Sequence, residues 1–365
     1  MKIVTIIGAR PQFIKAAMIS RAIIEHNRHS EGERIEEKIL HTGQHYDRNM
    51  SEIFFNRLGI PQPTWKLHCG GIGSHAKMTA QMLVEIEKAL LESMPDRVLV
   101  YGDTNSTLSG ALAATQLHIP VAHVEAGLRS FNRKMPEEIN RVLTDHIAGH
   151  LFCPTYAAIR NLRDEGITRN VFHSGDVMYD AALTFGKVAE EQSAIMSTLR
   201  LNRRSFYLCT VHRAENTDDK DRLTQIVHAL IEIATPDKPV IWPLHPRTEL
   251  YLDTYRLREK FTSHPAVRII DPVDYIDMVM LEKEAATILT DSGGVQKEAY
   301  FHRTPCITLR EETEWTETIE AGWNRLAGYK TGKIIQSLHI ESERREIEEY
   351  GDGHAAEKII TALCS

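Results

Sequence analysis

The sequence predicts an α/β protein made of two doubly wound, Rossmann-like domains, and three observations predict it. The chain opens with an apolar run, Ile3 to Ile7, turns through GARP and enters a helical pattern over Phe13 to Glu25. Strand, glycine turn and helix in that order are how a parallel sheet presents a ligand site above its carboxyl edge. The same alternation continues through the first half of the chain and starts afresh after Gly175. Late in the second series, the run Ala285 to Thr290 delivers DSGGVQKE, Asp291 to Glu298, into a helical AYFH. A helix start there would bind an anion through its free N–H groups and the positive end of its dipole. Gly293 and Gly294 lack the Cβ atoms that would hold a diphosphate away, and Ser292 either caps the helix or bonds a phosphate oxygen. Glu298, about one turn further, has the reach to accept from a ribose diol.

Composition bounds the alternatives. At 365 residues the chain exceeds the length of one ordinary core, so two domains are expected. A hydrophobic content of 42% with 25% charged residues describes a globular chain with ample core. The net charge of −7 argues against nucleic-acid or membrane-surface partners, whose binding draws on clustered Lys and Arg. Five cysteines without CxxC spacing indicate neither a disulfide framework nor a zinc knuckle, which suits a reducing cytoplasm. The opening apolar run is too short for a signal peptide, so no targeting or spanning segment is expected.

Arg10 and Lys15 lie at the first helix start, where two cations would suit a diphosphate or serve as solvated charges. Further strands are predicted near Glu37 to Leu40, Arg97 to Tyr101, Val121 to Val124 and His150 to Cys153, with helices over Met78 to Glu92 and Ser106 to Gln116. The second series places strands at Phe206 to Thr210, Pro239 to Trp242, Val267 to Ile270, Thr287 to Thr290 and Cys306 to Leu309. The domain boundary is expected near Asp176 to Asp180, giving an N-terminal domain of 1–177 and a C-terminal domain of 178–351. His68 to Lys77 contains a loose GxGxxA but follows no clear buried strand, and reads better as a flexible loop over a site than as a dinucleotide fingerprint. His41 and His45 sit one helical turn apart without a third ligand at suitable spacing, so no metal site is expected.

Acidic residues after strands carry the chemistry. Asp103 in VYGDTNST and Glu125 in VAHVEAGLR end neighbouring predicted strands, and Glu137 and Glu138 follow in KMPEEINR. Crowded carboxylates raise one another's pKa and serve as general acid and base. Structural roles compete with that reading: Asp103 could cap the helix after it, Glu125 could pair with Arg129, and Glu137 and Glu138 could sit in a first helical turn with Arg141. In the second half CTVHRAEN places His212, Arg213 and Glu215 after a strand, and PLHPR places His245 after the next. Histidine there acts as acid, base or phosphate donor, or as a satisfied core residue.

These motifs together resemble the non-hydrolysing UDP-N-acetylglucosamine 2-epimerases. GARPQFIKAA, HTGQHYD, VYGDTNSTLSGALAA, HVEAGLRS with MPEEINR, CTVHRAEN, PLHPR, TDSGGVQKEA, LREETEW and YGDGHAAEKI occur in the family's order along essentially the whole chain. The resemblance implies a GT-B fold, two Rossmann-like domains with the nucleotide sugar in the cleft between them and a final helix, about 352–365, packing back on the first. It implies epimerisation at C2 by elimination and re-addition of UDP, with Asp103, Glu125 and Glu137 as the acid and base carboxylates. Arg10, His212, Ser292, Gly293 and Gly294 would hold the departing diphosphate, with Arg213 and His245 also at the UDP. Lys15 and Arg141 would lie near the reacting sugar, and Glu298 at the ribose. No redox cofactor or metal is implied, and a homodimer is the family expectation. The chain departs from the common pattern in GARPQFIK, in Trp315 where many members carry a substrate-holding arginine, and in Val273 and Met278 where they flank the uracil with glutamine and phenylalanine. GARPQFIK with TEW is closer to the branch acting on UDP-2,3-diacetamido-2,3-dideoxyglucuronate, whose manno product enters bacterial surface polysaccharide such as O-antigen. Residues for activation by substrate at a second site are matched only by Gln44 and its neighbour. Rival readings on the same fold are a UDP-N-acetylglucosamine epimerase, a GT-B glycosyltransferase, a hydrolysing epimerase and a non-catalytic nucleotide-sugar sensor.

Overall fold

Two parallel sheets, one in each of two compact units, organise the chain in this computed structural model, which describes residues 1–29, 32, 34–44, 59–71, 73–261 and 263–365. His45, named above beside both His41 and Gln44, lies outside the described residues. One unit comprises Met1–Ala181 with Glu348–Ser365; the other is Ala182–Ile347.

The first unit runs β1 (Lys2–Ile7), α1 (Arg10–His29), β2 (Glu36–His41), β3 (Trp65–Lys66), α2 (His75–Ser93), β4 (Arg97–Tyr101), α3 (Asn105–Gln116) and β5 (Val121–Val124). It continues through α4 (Pro136–Ile147), β6 (His150–Cys153), α5 (Tyr156–Asp164), β7 (Val171–His173) and the start of α6 (Val177–Gln192). Its strands lie in the order β3-β2-β1-β4-β5-β6-β7, every described pairing parallel. The near-continuous apolar runs of β1, β4 and β5 follow from this, because helices cover both faces of a parallel sheet. Val4, Ile6, Leu40, Met82, Ile86, Leu90, Val98 and Val100 pack one side of it.

The second unit adds α7 (Ile195–Thr198), β8 (Tyr207–Thr210), α8 (Ala214–Thr217), α9 (Lys220–Ile233), β9 (Val240–Pro243), α10 (Pro246–Thr254) and β10 (Val267–Ile270). It ends with α11 (Tyr275–Glu284), β11 (Thr287–Thr290), α12 (Gly293–Phe301), β12 (Cys306–Thr308), α13 (Thr316–Glu320), β13 (Asn324–Leu326) and α14 (Thr331–His339). The strand order is β10-β9-β8-β11-β12-β13, again parallel, over a core centred on Trp242, Leu223, Ile226 and Leu230. In each unit the order reverses direction between two adjacent strands, β1 and β4 or β8 and β11. Such a switch point opens a crevice at the carboxyl ends, where α/β sheets bind ligands.

The last helix, α15 (Ala355–Cys364), belongs to the first unit and packs on α1 through Ile359, Ile360 and Leu363. Several expected boundaries move. Helix α1 begins at Arg10 rather than Phe13 because Pro11, with φ fixed and no N–H to lose, suits a first turn. The segment expected as a loop over His68 to Lys77 is helical from His75, capped by Ser74, whose side chain accepts from Lys77 N.

Candidate active site

Gln12 fastens the first switch point. Its Oε1 accepts from Gly8 N at 2.7 Å and Ala9 N at 3.0 Å, while its Nε2 donates to Tyr101 O at 2.8 Å and to the hydroxyls of Thr104 and Thr107. One buried amide therefore locks the loop after β1 to the loop after β4. A Cβ on Gly8 would stand 2.0 Å from Thr42 Oγ1 and 2.2 Å from Ser106 Oγ, so only glycine fits.

On this edge two carboxylates meet two cations. Lys15 Nζ pairs with Glu125 Oε2, and Arg141 Nη2 pairs with Asp103 Oδ2. Burial pushes the Asp103 carboxyl above its ordinary range, against the pull of Arg141 and with the help of the Glu125 charge. Arg141 also reaches Glu138 at 3.4 Å, and its Nε is buried without an acceptor. Glu125 has φ +72°, a left-handed conformation that costs on the order of 1–3 kcal/mol for a residue with a Cβ and is held by the surrounding structure. Gly102, φ +62°, presses on the same pair: a Cβ there would lie 3.2 Å from Glu125 Oε2.

Beneath the carboxylates runs a largely buried chain of hydrogen-bonded side chains. His123 on β5 bonds Asp145 Oδ1 through Nδ1 and Gly102 O through Nε2, both at 2.7 Å. Asp145 also accepts from Gly127 N and from Arg129 Nη1 at 2.7 Å, and Arg129 continues to Glu165. Although burial opposes it, His123 and Arg129 hold the Asp145 carboxyl below its usual range. The loops carrying Asp103 and Glu125 are thus braced from below. Nothing in the sequence links its members, since His123 is on β5, Arg129 in the loop after it and Asp145 on α4.

Of the structural roles weighed for these acids, the first-turn placement of Glu137 and Glu138 beside Arg141 is found, while those of Asp103 and Glu125 fall to other residues. Thr104, not Asp103, caps α3, because its hydroxyl accepts from Thr107 N. Arg129 turns to Asp145 and Glu165, leaving Glu125 to Lys15. Glu138 is buried and accepts from Ser130 N, Ser130 Oγ and Phe131 N, a clamp on the loop before α4. Glu137 is exposed in the first turn of α4, one turn before Arg141. Arg10 sits half-buried at the start of α1.

In the second unit Asp291, wholly buried, is the anchor. Its carboxylate accepts from His212 N at 3.0 Å, Arg213 N at 3.0 Å and Asn216 Nδ2 at 3.1 Å, tying the loop after β8 to the end of β11. His212 Nδ1 lies 3.5 Å from the same carboxylate, and its ring is 5.3 Å from that of His245. Burial lowers both histidines; Asp291 opposes it at each, and at His245 the neighbouring His212 adds to the fall. Ser292 occupies the N-cap position of α12 without a side-chain capping bond, so its hydroxyl is not spent on the helix. At the first turn, a Cβ on Gly293 would meet only Arg213, Glu314 and Trp315, none closer than 3.4 Å, and one on Gly294 only Ser292 Oγ at 3.9 Å. Arg310 bonds Glu314 at 2.9 Å; burial would raise this carboxyl, but Arg310 brings it below its usual range. Glu298 is half-buried further along α12. Among the described residues no group of three or more His, Cys, Asp or Glu converges as metal ligands do.

Two doubly wound parallel sheets, one ending in two carboxylate–cation pairs and the other in the glycine start of α12, describe an α/β protein of the GT-B fold. The chain belongs to the UDP-N-acetylglucosamine 2-epimerase family, whose model matches residues 27–364. It is 51% identical, over all of this chain and 99% of the other, to a UDP-N-acetylglucosamine 2-epimerase homolog of Methanococcus maripaludis. It is 50% identical, with the same coverage, to the UDP-2,3-diacetamido-2,3-dideoxy-D-glucuronate 2-epimerase of Pseudomonas aeruginosa. The crystal structure of Methanocaldococcus jannaschii UDP-GlcNAc 2-epimerase in complex with UDP-GlcNAc and UDP matches with a TM-score of 0.88 at 46% identity, covering 100% of this chain and 99% of that one.

Proposed function

We propose that the chain interconverts the C2 epimers of a UDP-2-acetamido sugar, and that the sugar is 2,3-diacetamido-2,3-dideoxyglucuronate, converted to its manno isomer for surface polysaccharide. The observation that carries the reading is the pairing of Asp103 with Arg141 and Glu125 with Lys15 at the switch point of the first sheet. The C2 hydrogen is not acidic by itself, so a base must act while the leaving group is stabilised. As the base takes the proton, the C–H electrons become the C1=C2 bond of a 2-acetamidoglycal, and the C1–O electrons leave on the diphosphate. A proton added to the opposite face of C2 and return of the diphosphate oxygen to C1 give the epimer.

Asp103, Glu125 and Glu137 supply the acid and base in this scheme, with Lys15 and Arg141 orienting the first two. Asp103, raised by burial, is suited to carry the returning proton. In the second unit His212, Arg213, His245, Ser292, Gly293 and Gly294 hold the diphosphate and Glu298 the ribose; in the first unit Arg10, at the start of α1, is the anion-binding cation. Support for the uronate comes from the Pseudomonas relative and from Trp315, where many family members carry arginine. UDP-N-acetylglucosamine is the second reading, favoured by the two methanogen relatives at 51% and 46% identity. We place the enzyme in the cytoplasm as a homodimer; its five described cysteines are all free, and no described helix is long and apolar enough to cross a membrane.

Proton NMR in heavy water with each UDP-sugar separately tests the proposal. Deuterium should enter at C2 and the manno epimer accumulate with the uronate. Conversion of UDP-N-acetylglucosamine alone would move the assignment to the second reading. No exchange with either would remove the epimerase mechanism.

A further inference from the structure

The chain has four tryptophans. Trp65 Nε1 donates to Glu92 at 3.2 Å and Trp323 Nε1 to Arg345 O at 2.9 Å. The indole N–H groups of Trp242 and Trp315 are buried with no acceptor. Trp242 is explained by its place in the apolar core of the second unit, edge-on to Phe261. Trp315 is not in that core. It is 8% exposed, and its Nε1 lies 3.4 Å from the point where a Cβ on Gly293 would stand, at the first turn of α12. An indole nitrogen donates and never accepts, and an orphaned buried donor is costly, so the site is built for an acceptor that is not protein.

The surroundings say which acceptor. The N–H groups of a helix start favour negative charge, and α12 is nine residues long. Arg213 Nη2 and Glu314 Oε2 lie 3.8 and 3.9 Å from that same point. Arg310 pairs with Glu314, and Lys297 Nζ stands 4.1 Å from the Trp315 ring centroid, so cations outnumber the one acid. The backbone that carries the indole is tied to α12: Trp315 N donates to Thr313 Oγ1, which donates to Gln296 Oε1 at 2.6 Å.

We infer that Trp315 is a binding residue whose Nε1–H donates to a diphosphate oxygen held at the start of α12. It thereby holds the leaving group, at a position where many family members carry a substrate-holding arginine. This rests on the reading above that α12 holds the diphosphate of a nucleotide sugar. A hydrogen bond to a charged oxygen implies that Trp315→Phe, which keeps an aromatic ring and loses the donor, weakens UDP binding about 10- to 100-fold.

The test uses the full chain and UDP itself. Calorimetric titration compares the wild type with Trp315→Phe. In parallel, the four indole N–H resonances of 15N-tryptophan-labelled wild type are followed to UDP saturation. The expected result is weaker binding by the variant and a downfield shift of the Trp315 indole resonance, with Trp65 and Trp323 unmoved. Should Trp315→Phe fail to fold, the wild-type spectrum decides, its peaks assigned through Trp65→Phe and Trp323→Phe. Saturating UDP that leaves the Trp315 indole unmoved, or equal affinity in the two proteins, overturns the inference alone. A wild type that binds no UDP overturns the nucleotide-sugar reading and this inference with it.

Discussion

At the residue scale, what distinguishes the carboxylates is their partners. Glu137 and Glu138 are adjacent and chemically identical, yet one is exposed while the other clamps Ser130 and Phe131. Glu125 stands in a left-handed conformation against Lys15, a strain that the surrounding structure must hold. Replacing Glu125 with Gln keeps the shape and removes the basic oxygen. Deuterium exchange at C2 should fall by about 10²- to 10⁴-fold while UDP affinity stays within a few fold; turnover at the wild-type rate would show that its role lies elsewhere. Gln12 makes the opposite kind of prediction, since it supports geometry rather than chemistry. Gln12→Leu fills the same volume but strands the N–H groups of Gly8 and Ala9, while the Tyr101 carbonyl keeps only the Thr107 hydroxyl as donor. A loss of about 3 kcal/mol in stability is expected, read as a lower urea midpoint at unchanged slope.

At the element scale, strands of four or more residues are legible in the sequence, the edge strand Val267–Ile270 among them, and the shortest edge strands are not. Val121–Val124 could be bounded because Pro120 and Glu125 bracket four buried residues. The edge elements Trp65–Lys66, Val171–His173 and Asn324–Leu326 are two or three residues long and mostly only partly buried, too short to show a period. Site residues at strand ends could be found for the same reason, but their partners could not. Lys15 and Glu125 are 110 positions apart, and nothing in either segment names the other. Asp291 looked like part of a phosphate loop and is instead its brace. Asp180 is a further case: on α6, its carboxylate accepts from Ala355 N and Ala356 N and caps α15. Burial pushes this carboxyl up to about 6 from an ordinary 3.8, against those two bonds. The folded state therefore holds the proton more tightly than the unfolded chain. The stability this supplies is complete below about pH 4 and is lost as pH rises through about 6, on the order of 3 kcal/mol. Asp180→Asn should remove that component, so that the difference in urea midpoint between the two proteins changes across this window; a constant difference would refute it.

At the scale of the whole molecule, the chain leaves the first unit at Ala181 and returns at Glu348, so that unit is completed only by its last eighteen residues, Glu348–Ser365. The return is fixed at several points: Tyr156 N donates to Glu349 Oε2 at 2.9 Å, His173 Nε2 to Glu349 O at 2.8 Å and Asp176 N to Tyr350 O at 3.0 Å. Gly175, φ +81°, permits the crossing, since a Cβ there would stand 2.8 Å from Tyr350 O. Ile359, Ile360 and Leu363 then close over α1, each at most 2% exposed. Three such side chains contribute about 5–9 kcal/mol together, comparable with the net stability of an ordinary domain. Deleting Glu348–Ser365 should therefore unfold the first unit while sparing the second, whose elements end before the cut. The tryptophans report the difference: Trp242, Trp315 and Trp323 lie in the second unit and Trp65 in the first. The truncated chain is expected to keep most of its native tryptophan fluorescence, lose roughly half of its helical circular dichroism and have no epimerase activity. Retention of the full dichroism signal with a single cooperative transition would mean that the first sheet and its helices hold without α15.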